Sequence, residues 1–271
     1  MKILIFGGTG YLGSNIAYYF KKNNEITIVS RKNNREKKFF QTINIFNKKK
    51  LILNIKSADV IFLSNGPTQE NSEKELIKYT EYFYNEVKNI IKYKNRKSKI
   101  IYFSSIHVYE NKYKKKINIT ENLCSLSNYG IRNILCENII LKEFYSNKNF
   151  HIIRIANVYG VQNNGKINFT NNMFNLAINQ FCLKSVKGEK IHVRSNKFQK
   201  RNYISINDFL KFIKFIINTK RKLPVIINYT SNNTISLDKI IQIIMEKTSK
   251  LKIQRPQFIL KNKIKKTKIN Y

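Results

Sequence analysis

Lys2-Ile3-Leu4-Ile5-Phe6-Gly7-Gly8-Thr9-Gly10-Tyr11-Leu12-Gly13 decides the reading of this chain. The first five residues are almost wholly apolar, as expected of a strand covered on both faces. Glycines follow at once, and an amphipathic stretch follows them. A strand that turns through glycines into a helix offers its backbone N–H groups, and the positive end of the helix dipole, to a pyrophosphate. Gly7 permits the tight turn, Gly10 lets the backbone come close to phosphate, and Gly13 lets the helix pack closely on the strand. Thr9, Tyr11 and Leu12 complete the loop. The expected ligand is a dinucleotide, NAD or NADP.

Working outward, the second strand ends in Val29-Ser30-Arg31-Lys32. An acidic residue there binds a ribose 2′-hydroxyl, whereas arginine accommodates a 2′-phosphate. Ser30 and Arg31 therefore favour NADP. Further short apolar runs follow at Thr42 to Ile45, Val60 to Leu63, Lys99 to Ser104 and His151 to Ile155, joining Lys2 to Phe6 and Ile26 to Ser30. Between them Tyr11 to Lys22, Glu73 to Tyr93 and Tyr129 to Ser146 read as helices, with Asn71 and Ser72 as N-caps for the second. Alternation of this kind predicts an α/β fold, a Rossmann-type doubly wound parallel sheet. Residues 1–160 form the dinucleotide-binding domain on this reading. Residues 161–271 form a smaller C-terminal substrate-binding lobe, with a strand and helix near 202–218 returning to the sheet. That lobe is expected to hold a loop at 162–166, helices from Asn171 to Leu183 and Leu237 to Lys247, and a strand at Val225 to Tyr229. Residues 261–268 read as a solvated tail.

The chain has 271 residues, 42% of them hydrophobic, enough for a substantial core. No run approaches the roughly 20 apolar residues that span a bilayer, and glycine interrupts the first strand before a signal-peptide core forms. A cytoplasmic protein without a membrane partner is expected. Cys124, Cys136 and Cys182 show neither metal-ligand spacing nor a disulfide framework, so buried free thiols and no metal are expected. The formal charge of +35, from 51 Lys and Arg against 16 Asp and Glu, attracts polyanions without specificity. The excess is spread along the chain and no nucleic-acid module accompanies it, so a solvated basic surface is expected rather than a specific nucleic-acid partner.

The chain resembles the extended short-chain dehydrogenase/reductases, the NAD-dependent epimerase/dehydratase family acting mainly on nucleotide-linked sugars. Beyond the glycine turn, the resemblance is carried by Ala58-Asp59-Val60-Ile61-Phe62-Leu63 and Phe103-Ser104-Ser105-Ile106-His107-Val108-Tyr109. It continues through Ile119-Thr120-Glu121, Tyr129-Gly130, Arg154 to Gly160 and Arg201 to Asp208. The resemblance implies that Ser105 bonds the reacting oxygen and that Tyr129 exchanges the proton while the nicotinamide exchanges hydride. It implies that Asn44, Ile45, Leu63 and Ser64 line the adenine and ribose sites, that Asn157 and Arg201 face a substrate diphosphate, and that a homodimer forms through helices 73–93 and 129–146.

One departure matters. The family pattern is Tyr-x-x-x-Lys, and this chain reads Tyr129-Gly130-Ile131-Arg132-Asn133. Asn133 retains a hydrogen bond but lacks the charge that stabilises a phenolate. Removing a proton from an alcohol suffers most from that loss, while donating one to a ketone suffers least. Keto-group reduction is therefore the leading expectation. A nucleotide-sugar epimerase remains an alternative, since the cofactor's own ring or Arg132 offers another positive charge, and so does a cofactor-binding protein with catalysis weakened by Asn133. Family dehydratases carry an Asp-Glu pair where this chain has Ile106-His107, which argues against dehydration. His107 becomes a candidate substrate contact.

The cofactor reading is tested by Arg31→Asp, which is expected to weaken NADP at least tenfold more than NAD in a binding titration. An unchanged ratio between the two cofactors would remove the argument for NADP.

Overall fold

The structure, a computed structural model, describes residues 1–31, 40–66, 69–112, 117–144, 149–161, 176–193, 196, 198–250 and 258–260. The elements of the first half are β1 (Lys2–Phe6), α1 (Tyr11–Phe20), β2 (Glu25–Ser30), β3 (Gln41–Asn44), α2 (Lys48–Ser57), β4 (Val60–Leu63), α3 (Gln69–Tyr93) and β5 (Lys99–Ser105). A 3-10 turn (Ile106–Lys112) then leads to α4 (Asn128–Glu143) and β6 (Phe150–Ile155). The remainder comprises β7 (Asn157–Tyr159), α5 (Ala177–Val186), β8 (Ile191–Val193), β9 (Lys200–Ser205), α6 (Ile206–Asn218), β10 (Ile226–Tyr229), β11 (Thr234–Ser236), α7 (Leu237–Lys250) and β12 (Phe258–Leu260).

Two compact units result. The first holds Met1–Ala156 and Ile206–Thr230, the second Asn157–Ser205 and Ser231–Tyr271. A seven-stranded parallel sheet in the order β10-β6-β5-β4-β1-β2-β3 forms the first, the doubly wound α/β architecture expected. All six expected strands are in it. Apart from the edge strand β3, where only Ile43 is buried, their residues are largely apolar because both faces are covered: on one face Leu4, Phe6, Ile61 and Leu63 pack with Phe83, Val87 and Ile90 of α3 and with Cys136 and Ile140 of α4. The aromatic chain Phe62, Phe103 and Phe209 connects the sheet to α6. That helix buries Phe209, Leu210, Ile213, Ile216 and Ile217, one stripe at helical spacing.

The second unit has its own core of Phe181, Ile191, Val193, Leu237, Ile240, Ile241 and Ile244. Its strands form a three-stranded sheet, β11-β9-β7, and a pair, β12-β8.

Several expectations need correction. The strand expected to rejoin the main sheet near 202–206 is β9, and it pairs instead with β7 and β11. The seventh main-sheet strand is β10, expected in the small lobe, which lies parallel to β6. The reason lies in composition: β9 opens with Lys200-Arg201-Asn202, unsuited to a sheet covered on both faces, whereas β10 opens with Ile226-Ile227. Helix α3 begins at Gln69, so Asn71 and Ser72 lie within it rather than capping it. Helix α2 was not anticipated. The expected loop at 162–166, the first turns of the helix expected from Asn171 and the tail at 261–268 lie outside the described residues. Of the three cysteines only Cys136 is buried, where desolvation pushes its thiol up to about 12; Cys124 and Cys182 are exposed. No helix among the described residues is long and apolar enough to cross a membrane.

Beneath the ends of β5 and β6 lies a buried ion pair. Arg154 on β6 donates from Nε to both carboxylate oxygens of Glu137 on α4, at 3.1 Å each, and from Nη2 to Oε2 at 2.7 Å. Ser104 Oγ donates to the same carboxylate, and Arg154 Nη1 donates to the Tyr109 hydroxyl, which reaches Asn228 Oδ1 on β10 at 3.2 Å. Removing one partner strands the other charge. Arg154→Met is expected to lower unfolding free energy by about 3–5 kcal/mol in urea titration, and the double variant Arg154→Met with Glu137→Leu to recover much of that loss.

Candidate functional site

The glycine turn is built as the residue types require. Gly7 has φ of +75°, a conformation that side chains rarely adopt, and the Gly10 N–H donates to its carbonyl at 2.9 Å. A Cβ at Gly13 would lie 2.5 Å from Gly7 O and 2.7 Å from Ser64 Oγ, so only glycine lets α1 approach this closely. Gly8 is equally constrained, since a Cβ there would strike the side chain of Ile28 at 2.5 Å. That constraint was not foreseen; it depends on β2 rather than on a ligand. Thr9, Tyr11 and Leu12 are half-exposed around the turn.

Helix α1 starts at this turn with Gly10 as N-cap. No side chain caps it and no acidic residue occupies its first turn. A Cβ at Gly10 would meet only Gly7 O, at 3.3 Å, which leaves the approach to the helix N-terminus uncrowded for an anion. These residues fit a dinucleotide pyrophosphate.

The neighbouring strand ends support the turn. Ser64 donates to Phe6 O through both its N–H, at 3.0 Å, and its Oγ, at 2.7 Å, pinning the end of β4 to the end of β1. Leu63 is fully buried beneath it. Ser30 is buried at the end of β2, where its carbonyl accepts from the Ile45 N–H at 3.0 Å; Asn44 Oδ1 accepts from the Phe46 N–H. Arg31 is exposed. Its charge is felt at Glu86, whose carboxyl burial pushes up to about 7 while the bond from Asn65 Nδ2 at 2.6 Å and Arg31 oppose the rise.

The catalytic candidates converge at the end of β5 and the start of α4. Ser105 is the last residue of β5, and its Oγ accepts from the His107 N–H at 3.3 Å. Tyr129 stands in the first turn of α4, which Ser127 caps by accepting from the Gly130 N–H. The His107 ring lies edge-on to the Tyr129 ring, centroids 5.7 Å apart. Gly130 makes this possible: a Cβ there would lie 2.6 Å from His107 O and would collide with Ser125 Oγ, so the helix start sits directly against the 3-10 turn. Sequence reasoning missed that role, although a glycine in a helix's first turn was its signal.

Asn133 does not face this space freely. It is 1% exposed, with Oδ1 accepting from Tyr102 OH at 3.1 Å and from Arg132 Nη2 at 3.2 Å, and Nδ2 donating to Tyr129 O at 2.9 Å. Arg132, only 5% exposed, has its guanidinium carbon 4.7 Å from the Tyr129 ring centroid.

Two candidates belong to the second unit. Asn157 on β7 donates from Nδ2 to Asn202 O at 3.1 Å, and Arg201 on β9 donates to Gln199 Oε1 at 3.1 Å. The structure brings Ser105, His107 and Tyr129 together and groups Gly7 to Gly13 with Leu63 and Ser64. No cluster of metal-ligand residues occurs among the described residues.

A model of the NAD dependent epimerase/dehydratase family matches residues 3–229. No curated protein matches the chain. Among solved structures, the UDP-glucuronic acid 4-epimerase of Bacillus cereus, in complex with UDP-glucuronic acid and NAD, is 19% identical with a TM-score of 0.75, covering 97% of this chain and 87% of its own. The UDP-N-acetylglucosamine 4-epimerase of Methanobrevibacter ruminantium is 18% identical with a TM-score of 0.75, covering 97% and 86%. The UDP-glucose 4-epimerase of Thermotoga maritima with UDP-glucose is 16% identical with a TM-score of 0.74, covering 97% and 87%. At these identities the likeness concerns the fold.

Gly13→Ala is expected to force the turn apart and to weaken dinucleotide binding at least tenfold in a calorimetric titration. Retention of full affinity would show that the cofactor does not need this close approach.

Proposed function

The chain belongs to the NAD dependent epimerase/dehydratase family, and on that premise we propose that it exchanges hydride and a proton at a carbinol or keto carbon of a nucleotide-activated sugar. The observation that carries this reading is the convergence of Ser105, His107 and Tyr129 in the unit that also holds the glycine turn. A nicotinamide dinucleotide bound at the turn supplies or accepts the hydride. Ser105 Oγ bonds the substrate oxygen, and the Tyr129 hydroxyl gives it a proton or takes one away. His107, held against Tyr129, restricts the phenol's movement and borders the sugar.

Reduction of a keto group is the first reading of direction, because Asn133 brings no charge and its amide is committed to Tyr102, Arg132 and the helix backbone. Epimerisation, which also requires an oxidation, is the second, favoured by the guanidinium lying on the Tyr129 ring. Arg31, with no carboxylate at the end of β2, supports NADP over NAD. Asn157 and Arg201 offer an amide and a forked cation for the substrate's diphosphate. Ile77 and Tyr82 on α3 and Leu135 on α4 are exposed apolar side chains suited to a homodimer contact. Cys124 and Cys182, exposed and not joined in a disulfide, suit the reducing cytoplasm.

Purified protein is expected to oxidise NADPH, or NADH more slowly, in the presence of a nucleotide-linked keto sugar, with Tyr129→Phe at least a hundredfold slower. Conversion between epimers without net cofactor turnover would select the second reading. Equal rates for wild type and Tyr129→Phe would overturn both.

A further inference from the structure

We propose that Arg132 is the positioning residue that supplies, beside Tyr129 and the nicotinamide, the positive charge that the family pattern places at residue 133. The inference rests on the functional reading above for the seat of the nicotinamide, and it assigns a role to a residue one place away from the pattern.

Four observations on one side chain support it. The guanidinium carbon lies 4.7 Å from the centroid of the Tyr129 ring and 5.2 Å from that of Tyr79, so the cation is held between two aromatic faces. Its Nη2 donates to Asn133 Oδ1 at 3.2 Å, which fixes the plane of the fork. Nη1 lies against Gly66, just beyond β4, where any Cβ would collide with it. The side chain is 5% exposed, so water does little to screen its charge.

Burial works against the charge, and the neighbouring phenols and the Cys136 thiol favour it only where they ionise; the net direction for the guanidinium is upward. Arginine keeps its proton even in such a setting. Residues 129, 132 and 133 share one face of α4, three and four positions apart, so moving the cation by one residue keeps it beside the same phenol. Asn133 then acts as a tie, its amide joining Tyr102, the Arg132 fork and the Tyr129 carbonyl. The chemical consequence is that a fixed positive charge stands beside the Tyr129 ring, which favours epimerisation, the second reading of direction, over reduction alone.

A charge beside the nicotinamide has a signature separate from catalysis, because the oxidised ring is positive and the reduced ring neutral. Dissociation constants for the oxidised and reduced cofactor, measured with no sugar present, are compared for wild type, Arg132→Lys, Arg132→Gln and Arg132→Met. Loss of the cation is expected to tighten the oxidised form relative to the reduced form by about three- to tenfold in the Gln and Met variants. Arg132→Lys is expected to keep the wild-type ratio, and to keep oxidative turnover where Gln and Met lose it more than reductive turnover. Gln retains a planar polar group on the rings, so it serves if Met fails to fold. An unchanged ratio in a variant that still binds both forms overturns the role of Arg132 alone. Failure of wild type to bind either form overturns the functional reading with it.

Discussion

The ion pair between Glu137 and Arg154 is the constraint on which the site depends. Both side chains are almost wholly buried, so the pair works against a large desolvation cost that only close geometry and additional hydrogen bonds offset. That requirement makes it a register lock rather than a simple source of stability. Helix α4 cannot slide along the sheet without breaking bonds to Arg154 on β6 and Ser104 on β5, and Tyr109 extends the lock to the 3-10 turn and β10. Ser104 precedes Ser105, and Glu137 lies two helical turns beyond Tyr129. The height of the phenol relative to the serine is therefore set below the site.

Sideways placement has a different origin. Gly130 allows the start of α4 to touch the backbone of His107, and Gly13 allows the start of α1 to touch the backbone of Gly7. In both places a missing Cβ brings a helix N-terminus onto a loop at the carboxyl ends of the strands, where open α/β sheets bind ligands. Ser64 ties β4 to β1 beneath the glycine turn. Strand ends and two side-chain-free contacts thus position Ser105, Tyr129 and the glycine turn.

The features legible in the sequence were those that depend on neighbours along the chain. Most of the six expected strands showed as largely apolar runs because burial on both faces leaves little polar alternation, and the glycine turn showed because its conformational needs are local. Helix α2 was invisible for the converse reason: in Lys48-Lys49-Lys50-Leu51-Ile52-Leu53-Asn54-Ile55-Lys56-Ser57 only Leu51 and Ile55 are buried, too few to mark a face. The exchange of β9 and β10 between sheets was also hidden, since a short strand's partner is chosen by long-range pairing that composition only biases. Within the candidate site, motif order pointed to Ser105 and Tyr129, which the structure sets on either side of His107. The burial of Asn133 was not, because nothing local indicates that Tyr102, 31 residues earlier, will occupy its amide.

Arg132 shows why a departure from a motif is a weaker statement than it looks. A pattern records which residue usually delivers a charge, whereas the chemistry requires only that the charge be present, fixed and poorly screened. In a chain with 51 basic residues no single arginine stands out by composition. What distinguishes this one is enclosure: two aromatic rings, a glycine where the backbone must pass and an asparagine too short to compete for the space. Exposed lysines elsewhere add to the long-range field, yet salt screens them within about 8–10 Å. A buried guanidinium acts at contact range and stays charged. On the proposed reading, asparagine in place of the motif lysine still leaves the phenol with a neighbouring cation, supplied by the adjacent residue on the same helix face.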